Sequence, residues 1–411
     1  MVKKFNASLG FIFITILVDV IGLGIIIPIL PELIQSLTGE GLSDASKYGG
    51  WLIFTFAIMQ FLFAPILGGL SDKYGRRRVI LFSLFGLSID YLLHAWAPTL
   101  AFLFVGRFFA GITGASITAA TAYVADISPP EKRAQNFGMI SAAFGLGFII
   151  GPVLGGVLSK YGIRVPFYAA ALITMVNLIY GLFILPESLP KEKRREFSWK
   201  RANPLGTLKN LKSYPVVGGL VLSLFLIHIA GHSLQSTWSF FTMFKFNWSA
   251  SDVGYSLGAV GFLVAIIQGG LIRIIIPRIG DIRAVIFGFL LWGTGMVLFS
   301  LATEGWMMYA FLIPYCFGGI AGPAIQGIIS NQVPDNQQGE LQGGITSMVS
   351  LTSIIGPLLM TYLFAFFTKT NAPFQFAGAP FAMGAILVAV AFFFSINTLR
   401  ALRTKRDRVK S

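Results

Sequence analysis

Three charged side chains stand inside stretches of otherwise apolar sequence: Asp19, Asp90 and Arg107. Apolar stretches of about twenty residues are long enough to cross a bilayer, so these charges sit at membrane depth. On insertion scales a charge at the bilayer centre costs roughly 2.5–3.5 kcal/mol, so each must face a cavity or a partner. Two chemistries fit. An aspartate and the arginine could simply pair and hold helices together, or at least one aspartate could exchange protons. A carboxyl holds its proton more tightly away from water than beside a guanidinium, so an aspartate whose surroundings alternate would load and release one. Asp19 ranks first, because Gly22, Gly24 and Pro28 follow it and allow its helix to pack closely and bend.

A second reactive stretch is Gly68-Gly-Leu-Ser-Asp72-Lys-Tyr-Gly75-Arg76-Arg77-Arg78. It is short, glycine-punctuated and basic, and it lies between apolar runs, so it reads as a surface loop joining two spanning helices. Asp72 has Arg76 and Arg77 within reach, and Asp126, at the end of a later apolar run, offers a second carboxylate to the same cluster. The set reads as a latch that holds one side closed. The alternative is a topogenic loop whose exposed ion pairs contribute about 1 kcal/mol or less each. Further on, Gly147, Gly151 and Gly155 repeat every fourth residue with Pro152 among them, a smooth stripe suited to close helix packing. The expectation is that a helix from the other half of the chain seals against this stripe. Arg107 is followed four residues later by Gly111, which leaves room beside the arginine on one helical face.

These residues need elements to hold them, and the composition says which kind. The 411 residues are 55% hydrophobic and 12% charged, a balance no water-soluble core could hide. Apolar windows fall at about 8–32, 48–70, 79–97, 99–125, 135–158, 164–186, 215–241, 253–274, 284–303, 305–330, 340–367 and 375–398. Twelve spans put both termini on one side. Of the 31 basic residues, 25 fall on that side and five on the other, so the termini are expected to be cytoplasmic. The formal charge of +14 is therefore topology and lipid contact, and no nucleic-acid partner is expected.

The sequence also divides in two. A shift of 205 residues lays Gly75 on Gly280, Arg78 on Arg283, Gly114 on Gly319, Gly138 on Gly343, Gly151 on Gly356 and Pro152 on Pro357. The expected organisation is a six-helix bundle over 1–186, a charged linker over 187–214, a second bundle over 215–399 and a tail over 400–411, with a binding site between the bundles. The shift fails where the charges are: Asp19, Asp72, Asp90 and Arg107 fall on Leu224, Pro277, Gly295 and Leu312.

The second half offers uncharged polar groups for a ligand: His232, Gln235 and Trp238 in the seventh span, Trp292 in the ninth and Gln326 in the tenth. His228 and His232 are one turn apart, but with no third ligand they make no metal site. The single cysteine, Cys316, excludes an internal disulfide. Gly254-Tyr-Ser256-Leu-Gly258 matches a hydrolase elbow only in letters, because it enters an apolar helix. No phosphate-binding loop is present, so no enzyme and no cofactor is expected, and energy would come from an ion gradient.

The loop pattern G-x-L-x-D-x-x-G-R-R resembles the signature of the major facilitator superfamily. Arg107-Phe-Phe-Ala-Gly-Ile-Thr-Gly-Ala is similar to its fourth-helix motif, which is associated with proton transfer, and Gly147-Phe-Ile-Ile-Gly-Pro-Val-Leu-Gly-Gly156 to that of the drug/proton antiporter branch. Asp19-Val-Ile-Gly-Leu-Gly-Ile-Ile-Ile-Pro, Leu-Ser-Ile-Asp90-Tyr and Glu304-Gly-Trp resemble the tetracycline efflux group. The resemblance implies twelve helices in two bundles, acting as a monomer in the inner membrane. It implies proton-coupled export of an amphipathic compound by alternating access. It carries the family's intramembrane acids onto Asp19 and Asp90, and its motif arginine onto Arg107. The group's further acid in the ninth span would fall near Trp292, and no acid occurs between Asp281 and Glu304. Either coupling rests on Asp19 and Asp90, with His228 or His232, or the cargo is not a magnesium–tetracycline chelate. A carrier of a sugar or lipid-like metabolite, and a non-transporting receptor on the same fold, are the alternatives.

Overall fold

A computed structural model describes residues 2–114, 116–199, 218–334 and 337–410. The part of the expected linker from 200 onward, and the side chains of the tail beyond 401, lie outside what is described.

The apolar windows fold as helices, in the expected order. They are α1 (Val2–Ile26), α2 (Leu30–Thr38), α3 (Leu42–Tyr74), α4 (Arg76–Trp96), α5 (Leu100–Thr113), α6 (Ser116–Ile127), α7 (Arg133–Ser159) and α8 (Val165–Ile184). After the linker come α9 (Gly218–Phe246), α10 (Ala250–Ile266), α11 (Ile272–Ile279), α12 (Asp281–Leu301), α13 (Gly305–Gly318), α14 (Ala321–Ser330), α15 (Gln338–Thr368) and α16 (Ala379–Lys410). Among the described residues twelve spans result, because α5 with α6, α10 with α11 and α13 with α14 each make one crossing. Large apolar side chains stay exposed along them. Phe183 is 83% and Leu172 65% exposed, which only a lipid environment accommodates.

Three of these spans are interrupted along their length. Those of α5/α6 and α13/α14 break at Gly114 and Gly319, which the 205-residue shift superposes. The third has a π-helical turn at Ile267–Leu271. The repeat is a repeat of structure down to single residues. α4 and α12 start one residue after Gly75 and Gly280, whose φ values of 103° and 81° favour glycine, and they end at Trp96 and Leu301. α5 and α13 coincide under the same shift.

Contacts group the chain into two units. One contains Met1–Gly41, Trp51–Asn203 and Trp248–Gly261, the other Leu42–Gly50, Pro204–Asn247 and Phe262–Ser411. In the first, the core lies where Phe11, Ile12 and Ile16 of α1 meet Leu84 of α4, Tyr123 of α6, Ala143 of α7 and Leu178 of α8. In the second, aromatic rings dominate. Trp238 meets Phe299 edge-on at 5.2 Å and Phe241 meets Phe381 at 5.0 Å between centroids.

Candidate functional site

Asp19 sits on α1 with 3% of its surface exposed, and neither carboxyl oxygen has a hydrogen-bond partner. The Ser116 hydroxyl of α6 is the polar side chain that faces it. One turn on, Gly22 lies directly against the Tyr91 phenol of α4, which is buried and also without a partner. A side chain at Gly22 would displace that ring. The small residues after Asp19 therefore bring α1 close to the helix that carries Asp90.

Asp90 is fully buried on α4. α4 ends before Pro98, and α5 starts at Leu100 and runs back beside it, which brings Arg107 level with Asp90. An Arg107 Nη donates to Asp90 Oδ2, and its guanidinium lies 5.6 Å from the centre of the Phe56 ring. Gly106 clears the space: a Cβ there would lie 2.7 Å from Asp90 Oδ1 and 3.2 Å from two ring atoms of His94. His94 Nδ1 is 3.2 Å from Asp90 Oδ1. Sequence reasoning weighed His228 and His232 and passed over His94. The signal available was its place one turn after Asp90 on the same helix.

The two aspartates thus have different surroundings. Asp90 has a guanidinium and an imidazole, whereas Asp19 has no charged partner and faces a single hydroxyl, that of Ser116. At the equivalent place in the second unit, Gly295 packs against Tyr315, so apolar contact replaces the ion pair there.

At the opposite end of α4 the basic loop folds as a latch built on one arginine. Arg76 pairs with Asp72 at 2.6 Å and with Asp126 at 3.1 Å. Arg77 points elsewhere and donates to the Leu182 carbonyl at 2.7 Å. Of the glycines, Gly75 supplies the positive φ, and it is Gly69, packed against Phe197, rather than Gly68 that requires its small size. Glu187, from the linker, was not singled out. It accepts from the backbone amides of Arg76, Ser188 and Leu189 at 2.8, 3.0 and 3.2 Å, and so caps α4 from outside. Residues 195–197 lie along the same loop, with the Arg195 amide on the Asp72 carbonyl at 3.2 Å.

The glycine stripe forms a seam, but not with the expected partner. Gly147, Gly151 and Gly155 face Val20, Ile21, Gly24 and Ile25 of α1, within the first half. The helix from the second half, α10, packs one face over. There Gly254 meets the Pro152 carbonyl, Gly258 meets Val153 and Gly261 meets Ile149. Ser251 donates to the Gly156 carbonyl at 2.7 Å. The i, i+4 spacing identified a close helix seam, and only packing could assign its partner.

Among the second-half candidates, His232 is buried against Gly356 of α15. Trp238 belongs to the aromatic core with Phe299 and Phe381, the place of a packing residue. Gln235 is exposed, and Gln326 and Trp292 are half-buried. The Trp292 indole N–H is buried without a partner, beside Tyr315 at 6.0 Å between ring centres.

The model for the Major Facilitator Superfamily matches residues 12–315 and 270–410. The chain is 41% identical over 362 residues to the tetracycline resistance protein, class C, of Escherichia coli, covering 88% of this chain and 91% of that one. It is 35% identical over 388 residues to the class H protein of Pasteurella multocida, 94% of each. Among solved structures, the human organic anion transporter MFSD10 superposes with a TM-score of 0.69 at 26% identity, covering 95% of this chain and 99% of that one.

Proposed function

Because the chain belongs to the major facilitator superfamily, and is a multi-pass membrane transporter rather than an enzyme, we propose that it exports a small amphipathic compound in exchange for protons. Tetracycline-like drugs are the leading cargo. The observation that carries this reading is Asp19, a carboxyl buried in the first unit with neither oxygen in an ordinary hydrogen bond, while Asp90, on α4, is held by Arg107. A group left so is one whose proton the protein must manage as its surroundings change. Relatives named for tetracycline resistance over nearly the whole chain support the cargo class.

In this scheme Asp19 and Asp90 exchange the proton, and Arg107 holds Asp90 when that carboxyl is charged. The Arg76 latch and the α7–α10 seam govern which side is open. Both termini lie in the cytoplasm and the protein works as a monomer in the inner membrane. A membrane potential of 100 mV supplies about 2.3 kcal/mol per proton charge, before any pH gradient.

The test is purified protein in liposomes carrying an internal pH dye. Addition of tetracycline with magnesium should move protons in the wild type, and Asp19→Asn should abolish that movement. Unchanged movement in the variant would end the assignment. A second reading, a carrier of another small molecule such as a metabolite, is favoured by Trp292, an aromatic side chain where the resemblance expects an acid. A substrate panel run in the same liposomes separates the two.

A further inference from the structure

His94 takes part in the Asp90 cluster through one of its ring nitrogens. Nδ1 lies 2.9 Å from the Asp90 backbone oxygen and 3.2 Å from Oδ1. A carbonyl oxygen only accepts, so Nδ1 carries a hydrogen whether the ring is neutral or charged. Nε2 is therefore the place left on the ring for a second proton. That nitrogen is buried and has no hydrogen-bond partner. The ring is fully buried and stacks on Phe167 of α8 at 5.6 Å and 25°. Packing alone would not call for an imidazole here, because a leucine would fill the space without stranding a polar atom.

We infer that His94 is a third proton-carrying group of this site, protonated at Nε2, whose charge sets how firmly Arg107 holds Asp90. The inference rests on the reading of Asp90 and Arg107 as coupling residues. With the ring neutral, one guanidinium balances one carboxylate. With Nε2 protonated, two cations crowd the same carboxylate and repel each other, so the hold of Arg107 weakens. The groups titrate together, and none of their protonation steps belongs to one residue.

The charged and titratable groups around His94 come from each packed helix. Asp90 and Tyr91 share its own helix, and Arg107 comes from α5. Where α8 begins, Arg164 is engaged by the carbonyls of Ala95 and Ala97 at 3.3 and 2.8 Å. Asp19 of α1 lies across Tyr91, and Asp126 of α6 is bound to Arg76 at the far end of α4. His94 acts through Asp90 and Arg107, so it is a positioning residue.

The chain has three histidines, which makes nitrogen NMR of the full-length protein in detergent, labelled on the imidazoles, a direct test. The His94 signal is the one missing from His94→Asn, whose amide can still donate to the Asp90 carbonyl. It should move from the neutral to the cationic position as the pH is lowered. The midpoint of that change should differ between the wild type and Asp90→Asn. A signal that does not titrate, or a midpoint indifferent to Asp90→Asn, overturns the inference.

In liposomes, the rate of tetracycline-driven proton movement should depend on pH in the wild type. In His94→Asn the profile should differ from that of the wild type, keeping only the part that Asp19 and Asp90 supply, with KM unchanged. An unchanged profile also overturns the inference. His94→Gln repeats both measurements if the asparagine variant is not recovered from membranes. Absence of any drug-driven proton movement in the wild type would defeat the exchange reading, and the NMR titration would still decide the role of His94.

Discussion

Gly106 and Asp90 fit each other across the α4–α5 contact: a Cβ at Gly106 would lie 2.7 Å from Asp90 Oδ1, closer than real Cβ atoms come. Gly106→Ala should therefore push the carboxyl off Arg107 and destabilise the protein by roughly 1–3 kcal/mol. It should also lower proton movement in liposomes. Gly145→Ala, where nothing lies within 4 Å, is the control. Equal melting and equal proton movement in the two variants would show that the contact is slack.

The buried Arg107 and Asp90 pair should behave as a unit. Arg107→Leu alone strands a buried carboxylate and should cost about 3–5 kcal/mol. Adding Asp90→Asn should recover part of that loss, because the stranded charge goes with it. Denaturant unfolding in detergent gives the cycle, and strict additivity would contradict direct pairing.

The two sides of α7 should respond differently to added methyl groups. A Cβ at Gly151 would meet the Ile21 carbonyl at 2.7 Å and Gly24 Cα at 2.9 Å, all backbone, so Gly151→Ala should lower the melting temperature. Gly254→Ala presses on the Pro152 carbonyl, at a seam joining the eighth span to the fifth. It should slow drug export at equal protein level in a cell-based efflux assay. Wild-type export by Gly254→Ala would remove that seam from the gating scheme.

Glu187 should matter out of proportion to its exposure. Glu187→Ala leaves the first amide of α4 without its acceptor and should cost about 0.5–2 kcal/mol, as lost helix caps do. Arg76→Ala should lose two carboxylate partners, Asp72 and Asp126, whereas Arg77→Ala loses a carbonyl contact. Drug susceptibility of cells carrying each variant should therefore rise more for Arg76→Ala. The reverse order would argue against a latch centred on Arg76.

The amino-acid sequence by itself determined the twelve spans, the 205-residue repeat and the three intramembrane charges. Each is a signal that survives without tertiary contacts: a long apolar run, a fixed offset, a charge where lipid should be. It also determined that a glycine stripe every fourth residue makes a close seam. Tertiary structure decided who meets whom. It set α1 against Gly147, Gly151 and Gly155 and gave the neighbouring face to α10, since helical phase, not spacing, fixes the direction in which a stripe points. It chose Arg76 over Arg77, brought Gly106 beside Asp90, and broke two spans at Gly114 and Gly319. It placed His94 against the ion pair because a histidine draws its chemistry from whatever folds around it, and one helix alone does not contain those neighbours.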